Sequence, residues 1–320
     1  MNDHTSTGQI GPSNLAGPAA RMFRSRWLPK DALLGYALML PALAAILALV
    51  AYPTLYAVWM SFYRKLLGVP SIPFVGLDNY VAVLTGTLFW PSLARTIVFT
   101  VVAVAFKLVI GLATALVLNE SWRGRGLARA VVLLPWALPP LTAVLTWRFL
   151  MSDATNVLNY ILFKANLIET PIPWLYDPGW AMGSAIFINV WRGFPFFAIT
   201  LLAGLAAVSH DLYDAAKVDG AAVFQRFWHV TVPGIFPVLM VSLTLSLIWT
   251  INEFGGIWLL TVGGPGEATT TLGVATYLVG FVGVRNLSQA AVYSILAFPI
   301  LIILIVVLNR AISAREESVL

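Results

Sequence analysis

The chain has 320 residues, 59% of them hydrophobic and only 10% charged, with a mean hydropathy of +0.85; a soluble domain carries about a quarter charged residues, so the bilayer is its main solvent. Its net charge of +5 sits beside apolar runs, the positive-inside pattern of a membrane protein and not a phosphate-tracking stripe, which argues against a nucleic-acid partner. With no cysteine, disulfides, thiol catalysis and Cys-based metal sites are excluded.

Residues 1–30 mix Gly, Pro, Ser and Thr with Arg21, Arg24, Arg26 and Lys30, the composition of a disordered basic tail. No short apolar region with a small-residue cleavage site precedes the first long apolar run. That run is therefore expected to be a retained helix.

A spanning helix needs about 20 mostly apolar residues. Six stretches qualify, at 33–62, 93–118, 127–150, 181–206, 234–258 and 290–308. The fold class expected is all-α and polytopic, with a membrane domain over 31–312 and a short tail at 313–320. The apolar stretch 271–283 is too short to cross and reads as an interfacial or re-entrant helix. Prolines fall inside the spans at Pro41, Pro53, Pro135, Pro139, Pro140, Pro195 and Pro299, and each removes a backbone donor and kinks its helix.

Orientation follows from Lys and Arg. With the N-terminus inside, the cytoplasmic segments hold Arg21, Arg24, Arg26, Lys30, Arg123, Arg125, Arg129, Lys217, Arg226, Arg310 and Arg315. The external ones hold Arg64, Lys65, Lys164 and Arg285. Eleven against four places both termini in the cytoplasm. The external segment 152–179, with Pro171, Pro173, Pro178, Trp174 and Tyr176, reads either as a loop with interfacial aromatics or as a docking surface for an external protein.

Polar residues within the spans are costly and point to function. Lys107, deep in the second span, either turns into the bundle or snorkels, and carries no assigned role. In the fourth span Arg192 lies near the midplane, with Asn189 one turn before it and Phe196 one turn after on the same face. Trp191 and Phe197 are close by. In the fifth, "LIWTINEFGGIW" places Trp249, Asn252, Glu253 and Gly256 on one helical face. Glu253 reads either as a pathway residue or as an ion-pair partner for Arg192.

Between these two spans lies "SHDLYDAAKVDGAAVFQRFWHVTVP", residues 209–233. Ser209 is a good N-cap, and Asp211 falls in the first turn, where the helix dipole favours a carboxylate. Leu212, Ala215, Ala216 and Asp219 recur at helical spacing and leave a narrow face that a partner can approach closely. Asp219-Gly220 makes the turn, Gly220 being free to take positive φ. Val223, Phe224, Phe227 and Trp228 form a second apolar face, and Pro233 is expected to stop the helix before the fifth span. The segment reads as a cytoplasmic helix–turn–helix offered to a partner.

This hairpin resembles the EAA loop of bacterial ABC-importer permeases, whose pattern is Glu-Ala-Ala, three residues, Gly, nine residues, Ile, one residue, Leu-Pro. Asp214-Ala215-Ala216, Gly220, Val230 and Val232-Pro233 match in spacing, with Asp for Glu and two valines for Ile and Leu. The stretches "LNESWRGRGLARAVVLLPWALPPLTAVLTWRFLM" (118–151), "VWRGFPFFAITLLAGLAAV" (190–208) and "LLTVGGPGEATTTL" (259–272) are similar to carbohydrate permeases of the maltose, glycerol-phosphate and trehalose type. The resemblance implies a multi-pass protein of the bacterial cytoplasmic membrane, paired with a second permease, an ATPase dimer and an external solute-binding protein. It implies that Asp211, Asp214, Ala215, Ala216, Asp219, Gly220, Phe224, Phe227 and Pro233 face the ATPase. ATP and Mg belong to that ATPase, and no cofactor is expected on this chain.

Sugar sites combine hydrogen-bonding groups with aromatic faces, which directs attention to Asn189, Trp191, Arg192, Phe196, Trp249, Asn252 and Glu253 as the substrate pathway. The fifth span is where the family places substrate-contacting side chains. His4, His210 and His229 are too scattered for a metal set. "GGPG" lacks the Lys-Ser/Thr of a phosphate loop and reads as a turn. An intramembrane enzyme such as a lipid-linked glycosyltransferase, or a channel, are the alternatives. The first needs acidic or histidine residues clustered at one membrane face, and the second a ring-forming repeat or filter-like sequence.

Overall fold

The computed structural model describes residues 29–153, 156–283 and 285–316. The expected basic tail therefore lies outside the described residues up to position 28, as do 317–320 of the expected C-terminal tail. Among the described residues the regular structure is helical, apart from two isolated antiparallel bridges, Tyr63 with Phe74 and Leu66 with Asn286.

The chain divides into two units, Met1–Tyr56 and Ala57–Leu320. α1 (Pro29–Ile46), in the first, passes through a π-wound turn at Leu47–Ala51 into α2 (Tyr52–Ser61), whose residues from Ala57 on belong to the second. The π turn ends two residues before Pro53, whose ring clashes with the carbonyl four residues back in an α-wound helix. Widening that turn lets the helix continue through the proline.

In the second unit, α3 (Asp78–Thr85) leads into α4 (Phe89–Asn119). The bundle is built on α4, α8 (Pro178–Ala207) and α11 (Val232–Ile251). Small residues set the approach of α4 to α8: Ala103, Ala115 and Ala198 are fully buried, and a Cβ on Gly111 would stand 2.4 Å from the Phe197 Cβ. Without lipid-water contrast to drive helices together, such close packing supplies the attraction. Phe197, Leu201, Leu205 and Ile235 fill the core at one end of the bundle. Phe99, Val144, Ile188, Ile257 and Val274 fill the other.

Three expected spans take a different form. The stretch 127–150 is not one helix: α5 (Arg125–Ala137) and α6 (Pro140–Met151) meet at 90°. Leu138 and Pro139 each precede a proline, and both are extended, with ψ of 137° and 134°. The proline Cδ disfavours helical geometry at the residue before it, so two in succession break the helix. The fifth span starts earlier and ends earlier than the hydropathy implies, running from Val223 to Ile251. α12 (Gly255–Thr261) is a separate helix, begun where Glu253 Oε1 accepts the Gly256 N–H at 2.8 Å. The sixth expected span, 290–308, lies within α14 (Leu287–Glu316), which continues past the boundary expected for the tail. Among the described residues four helices are long and apolar enough to cross a membrane, and the bent α5–α6 pair would make a fifth.

The short apolar stretch after residue 270 is packed inside. α13 (Leu272–Tyr277), extended by a π turn at Leu278–Val282, buries Leu272, Val274 and Ala275. The Leu272 N–H donates to Thr96 Oγ1 at 2.8 Å. "GGPG" is a turn, held from within by the buried Thr269, which bonds Thr261 Oγ1 at 2.6 Å, and by Thr270, which donates to the Gly263 carbonyl at 2.9 Å.

Candidate functional site

Two regions collect the residues singled out in the sequence. The first is the hairpin at 209–233. Ser209 Oγ accepts the Asp211 N–H at 3.2 Å and starts α9 (His210–Val218). The helix ends as a Schellman motif: the Ala221 N–H reaches the Ala216 carbonyl at 2.9 Å and the Gly220 N–H reaches Lys217 at 3.1 Å. Gly220 sits at φ +78°, the left-handed conformation this closure requires. α10 (Val223–Arg226) begins where Gln225 Oε1 accepts the Ala222 N–H at 2.8 Å. Tyr213 and Thr231 tie the two arms through their hydroxyls at 3.0 Å.

The hairpin's apolar side chains face outward. Val218 is 88% exposed, Val223 75% and Phe224 72%, and Leu212 and Trp228 are more than half exposed. Asp211, Asp214, Ala215 and Asp219 are exposed around them, while Ala216 and Phe227 are half-buried. Lys217 Nζ donates to Asp214 Oδ1 at 2.8 Å. That hydrogen bond, reinforced by the lysine's charge, holds the Asp214 carboxyl below its ordinary range.

Pro233 does not end the second arm. Helical structure continues through it from Val223 to Ile251, with a π turn at Phe227–Thr231 directly upstream. The arrangement repeats that at Pro53: the widened turn accommodates the proline ring, so the hairpin's second arm and the fifth span are one helix.

The second region lies where α4, α8 and α11 meet. Arg192 Nη2 is 3.1 Å from Glu253 Oε2, and Asn189 Nδ2 is 3.5 Å from the same oxygen. Lys107 turns into the bundle, 5% exposed, and its Nζ donates to Thr250 Oγ1 at 2.9 Å. A cavity of about 70 Å³ is lined by Lys107, Trp136, Asn189, Arg192, Phe196 and Trp249. Phe196 and Trp249 meet edge to face at 5.0 Å between ring centroids. Among the described residues Asn189 Oδ1 is buried with no hydrogen-bond partner.

Two residues of the expected pathway lie elsewhere. Trp191 packs edge-on against Trp147 at 5.5 Å. Asn252 is not on one face with Trp249 and Glu253, because α11 has ended at Ile251. It bonds back to the Ile248 carbonyl at 2.8 Å and lines a separate cavity of about 280 Å³ with Thr96, Thr276 and Tyr293. Trp136 and Thr250 join the site without having been singled out. Trp136 comes from the helix broken at Pro139, and no local pattern marks either residue. Among the described residues no group of three or more His, Asp or Glu is placed to hold a metal ion.

An arrangement of hydroxyl, amide and charged groups beside aromatic rings can hold a polar solute by hydrogen bonds and ring contacts. The comparisons with known proteins bear on the family of the whole chain. Residues 107–317 match the family described as "Binding-protein-dependent transport system inner membrane component". The trehalose/maltose transport system permease protein MalF of Thermococcus litoralis is 40% identical over 248 residues, 78% of this chain and 83% of that one. The trehalose transport system permease protein SugA of Mycobacterium tuberculosis is 33% identical over 268 residues, 83% of this chain and 84% of that one. Among solved structures, a chain of a bacterial ABC transporter involved in the import of the acidic polysaccharide alginate superposes with a TM-score of 0.75 at 25% identity, covering 88% of this chain and 96% of that one. The family match spans more than half of the sequence, and the bundle holds several membrane-length apolar helices. The chain therefore belongs to the inner membrane components of binding-protein-dependent transport systems: it is a multi-pass permease subunit of an ABC importer.

Proposed function

We propose that this permease carries a sugar or sugar derivative, passing it through the cavity between α4, α8 and α11. It forms half of the pathway, the other half coming from a second homologous permease. An external solute-binding protein delivers the sugar, and an ATPase dimer docks on the hairpin at 209–233. ATP and Mg²⁺ are bound by that ATPase, and this chain performs no covalent chemistry. Both termini lie on the ATPase side, in the cytoplasm.

One observation carries the coupling role. Exposed apolar side chains, Val218, Val223 and Phe224, surround a tight glycine turn at the end of two membrane-length helices. Such a patch at a helix terminus favours burial against a protein partner. The relatives named for trehalose and maltose, and the alginate importer with the same fold, support sugar as the solute class. The aromatic faces of Phe196 and Trp249 suit the apolar C–H faces of a pyranose, and Asn189 and Arg192 suit its hydroxyls.

The test uses the absence of native cysteine. Val218→Cys and Val223→Cys, each the sole cysteine of the chain, are placed in membranes containing the whole transporter with single cysteines on the ATPase surface. Disulfide or bifunctional cross-linking to the ATPase, altered by ATP, is expected. Cross-linking to the external binding protein instead would overturn the reading.

A further inference from the structure

The cavity among α4, α8 and α11 holds two cationic side chains, Lys107 and Arg192, and one carboxylate, Glu253. That carboxylate is fully engaged by the protein. Its Oε1 accepts the Gly256 N–H at 2.8 Å, and its Oε2 accepts from Arg192 at 3.1 Å and Asn189 at 3.5 Å. Lys107 makes no ion pair among the described residues, and its one hydrogen bond there goes to Thr250 Oγ1. An ammonium has three donors, so two remain for something else.

The surroundings of Lys107 are built to admit it. A Cβ on Gly193 would stand 2.6 Å from the lysine Cε and 2.9 Å from its Cδ, so α8 carries no side chain where the stem passes. Thr250 spends its own hydroxyl proton on the Ser246 carbonyl at 2.6 Å, which leaves its oxygen free to accept from Lys107. The lysine, only 5% exposed, is thus led into a cavity whose one carboxylate is held by others. A positive group at membrane depth without a counter-charge is costly. A neutral sugar can fill the free donors of Lys107 but leaves its charge uncompensated.

We infer that the solute held in this cavity is an anionic sugar, one whose carboxylate, phosphate or sulfonate group seats against Lys107 and the free edge of Arg192. This rests on the sugar pathway proposed above and gives it a substrate class. The buried Oδ1 of Asn189, which has no partner among the described residues, accepts from a ring hydroxyl. The rings of Phe196, Trp249 and Trp136 border the remaining faces. A carboxylate or sulfonate brings the charge of the occupied cavity to zero, and a phosphate monoester, at about −1.5 to −2, takes it slightly negative.

The experiment measures binding to the complete transporter in lipid nanodiscs, without binding protein, for two matched pairs: trehalose with trehalose 6-phosphate, and glucose with glucuronate. The anionic member of at least one pair is expected to bind about tenfold or more tightly than its neutral partner, the scale of one charge-assisted hydrogen bond in a dry site. In Lys107→Met, which keeps the length of the stem, the ratio of anionic to neutral binding is expected to fall to about one, whatever neutral binding loses with the lysine's donors. Asn189→Ala weakens both members of a pair alike. Equal binding of neutral and anionic members to the wild-type transporter overturns the charge assignment and leaves the sugar pathway standing. An anionic preference that survives Lys107→Met also overturns it. No saturable binding by any of the four removes the sugar site itself, and this inference with it. If the methionine variant does not assemble, the wild-type comparison decides.

Discussion

Glu253 joins two helices with its two oxygens, taking Arg192 Nη2 at 3.1 Å on one side and the Gly256 N–H at 2.8 Å on the other. It thereby fixes the start of α12 against the middle of α8. Removing one partner of a largely buried pair leaves the other charged and unmatched, which costs more than the pair itself contributes. Arg192→Ala is therefore expected to reduce uptake more than tenfold, a loss above about 1.4 kcal/mol. Glu253→Gln in the same chain should recover part of it. Uptake by the double variant no better than by Arg192→Ala would show that the two residues do not act as a pair.

Gly193 and Lys107 make a second pair, steric in origin. Gly193→Ala forces a methyl group to 2.6 Å from the lysine Cε, closer than carbon atoms tolerate. Because the atoms met are the flexible end of the lysine, which can swing aside, the cost falls at the low end of overpacking, about 1 kcal/mol. The variant is expected to melt at lower temperature in detergent, and Lys107→Ala added to it should restore the melting temperature. Persistent destabilisation in the double variant would locate the clash elsewhere.

At Gly220 the constraint lies in the backbone alone. No atom stands within 4 Å of the position a Cβ would take there, but φ is +78°. Gly220→Val should cost the Schellman closure about 1–2 kcal/mol or more. Membrane insertion should be normal, with ATPase pull-down and uptake falling together. Gly220→Asn, which tolerates the left-handed region, should retain most of both. Equal loss in Asn and Val variants would point to contact with the partner and not to turn geometry.

The cavities separate residues that the sequence alone puts together. Trp249→Ala and Asn189→Ala are expected to lower maximal uptake about three- to tenfold, the scale of one or two lost contacts. Asn252→Ala should change it by less than about twofold, because its amide donates back to the Ile248 carbonyl at the end of α11 and lines another cavity. A severe Asn252→Ala defect would move the pathway to the cavity beside Tyr293.

Topology has its own test. Single cysteines after Glu120 and at Asp219 are expected to react only with membrane-permeant reagents in whole cells, and those at Asp78 and Asp177 with impermeant ones as well. Surface labelling at Asp219 would place the hairpin away from any ATPase.

The features readable in the sequence are the ones determined locally. Ser209 and Gly220 announce the hairpin because a cap and a positive-φ turn depend on a few adjacent residues. The long apolar helices α4 and α8 announce themselves by composition. The breaks are harder. A hydropathy window averages across Pro139 and Pro140, although their succession bends the chain by 90°. The face assigned to Trp249, Asn252 and Glu253 assumes a helix that continues, whereas Glu253 itself caps the next one. Pro233 reads as a stop because helix-breaking rules presume an α-wound turn before it, and here the turn is π-wound. Lys107 and Thr250 are 143 residues apart, and Trp136 is brought in by tertiary packing, which leaves no trace in local periodicity.

The continuity of the helix through Pro233 has a mechanical meaning. Val223–Ile251 is a single rod of 29 residues, with Phe224 near one end on the exposed hairpin and Trp249 near the other, in the wall of the cavity. At 1.5 Å per residue these two side chains are about 38 Å apart along the axis, so a tilt of about 10° around the hairpin end carries Trp249 sideways by about 7 Å. A displacement of that size exceeds the width of an aromatic ring's contact with its neighbour. A push felt at Phe224 therefore reaches the edge-to-face contact of Trp249 with Phe196 as lever travel, with no chain of side-chain rearrangements in between.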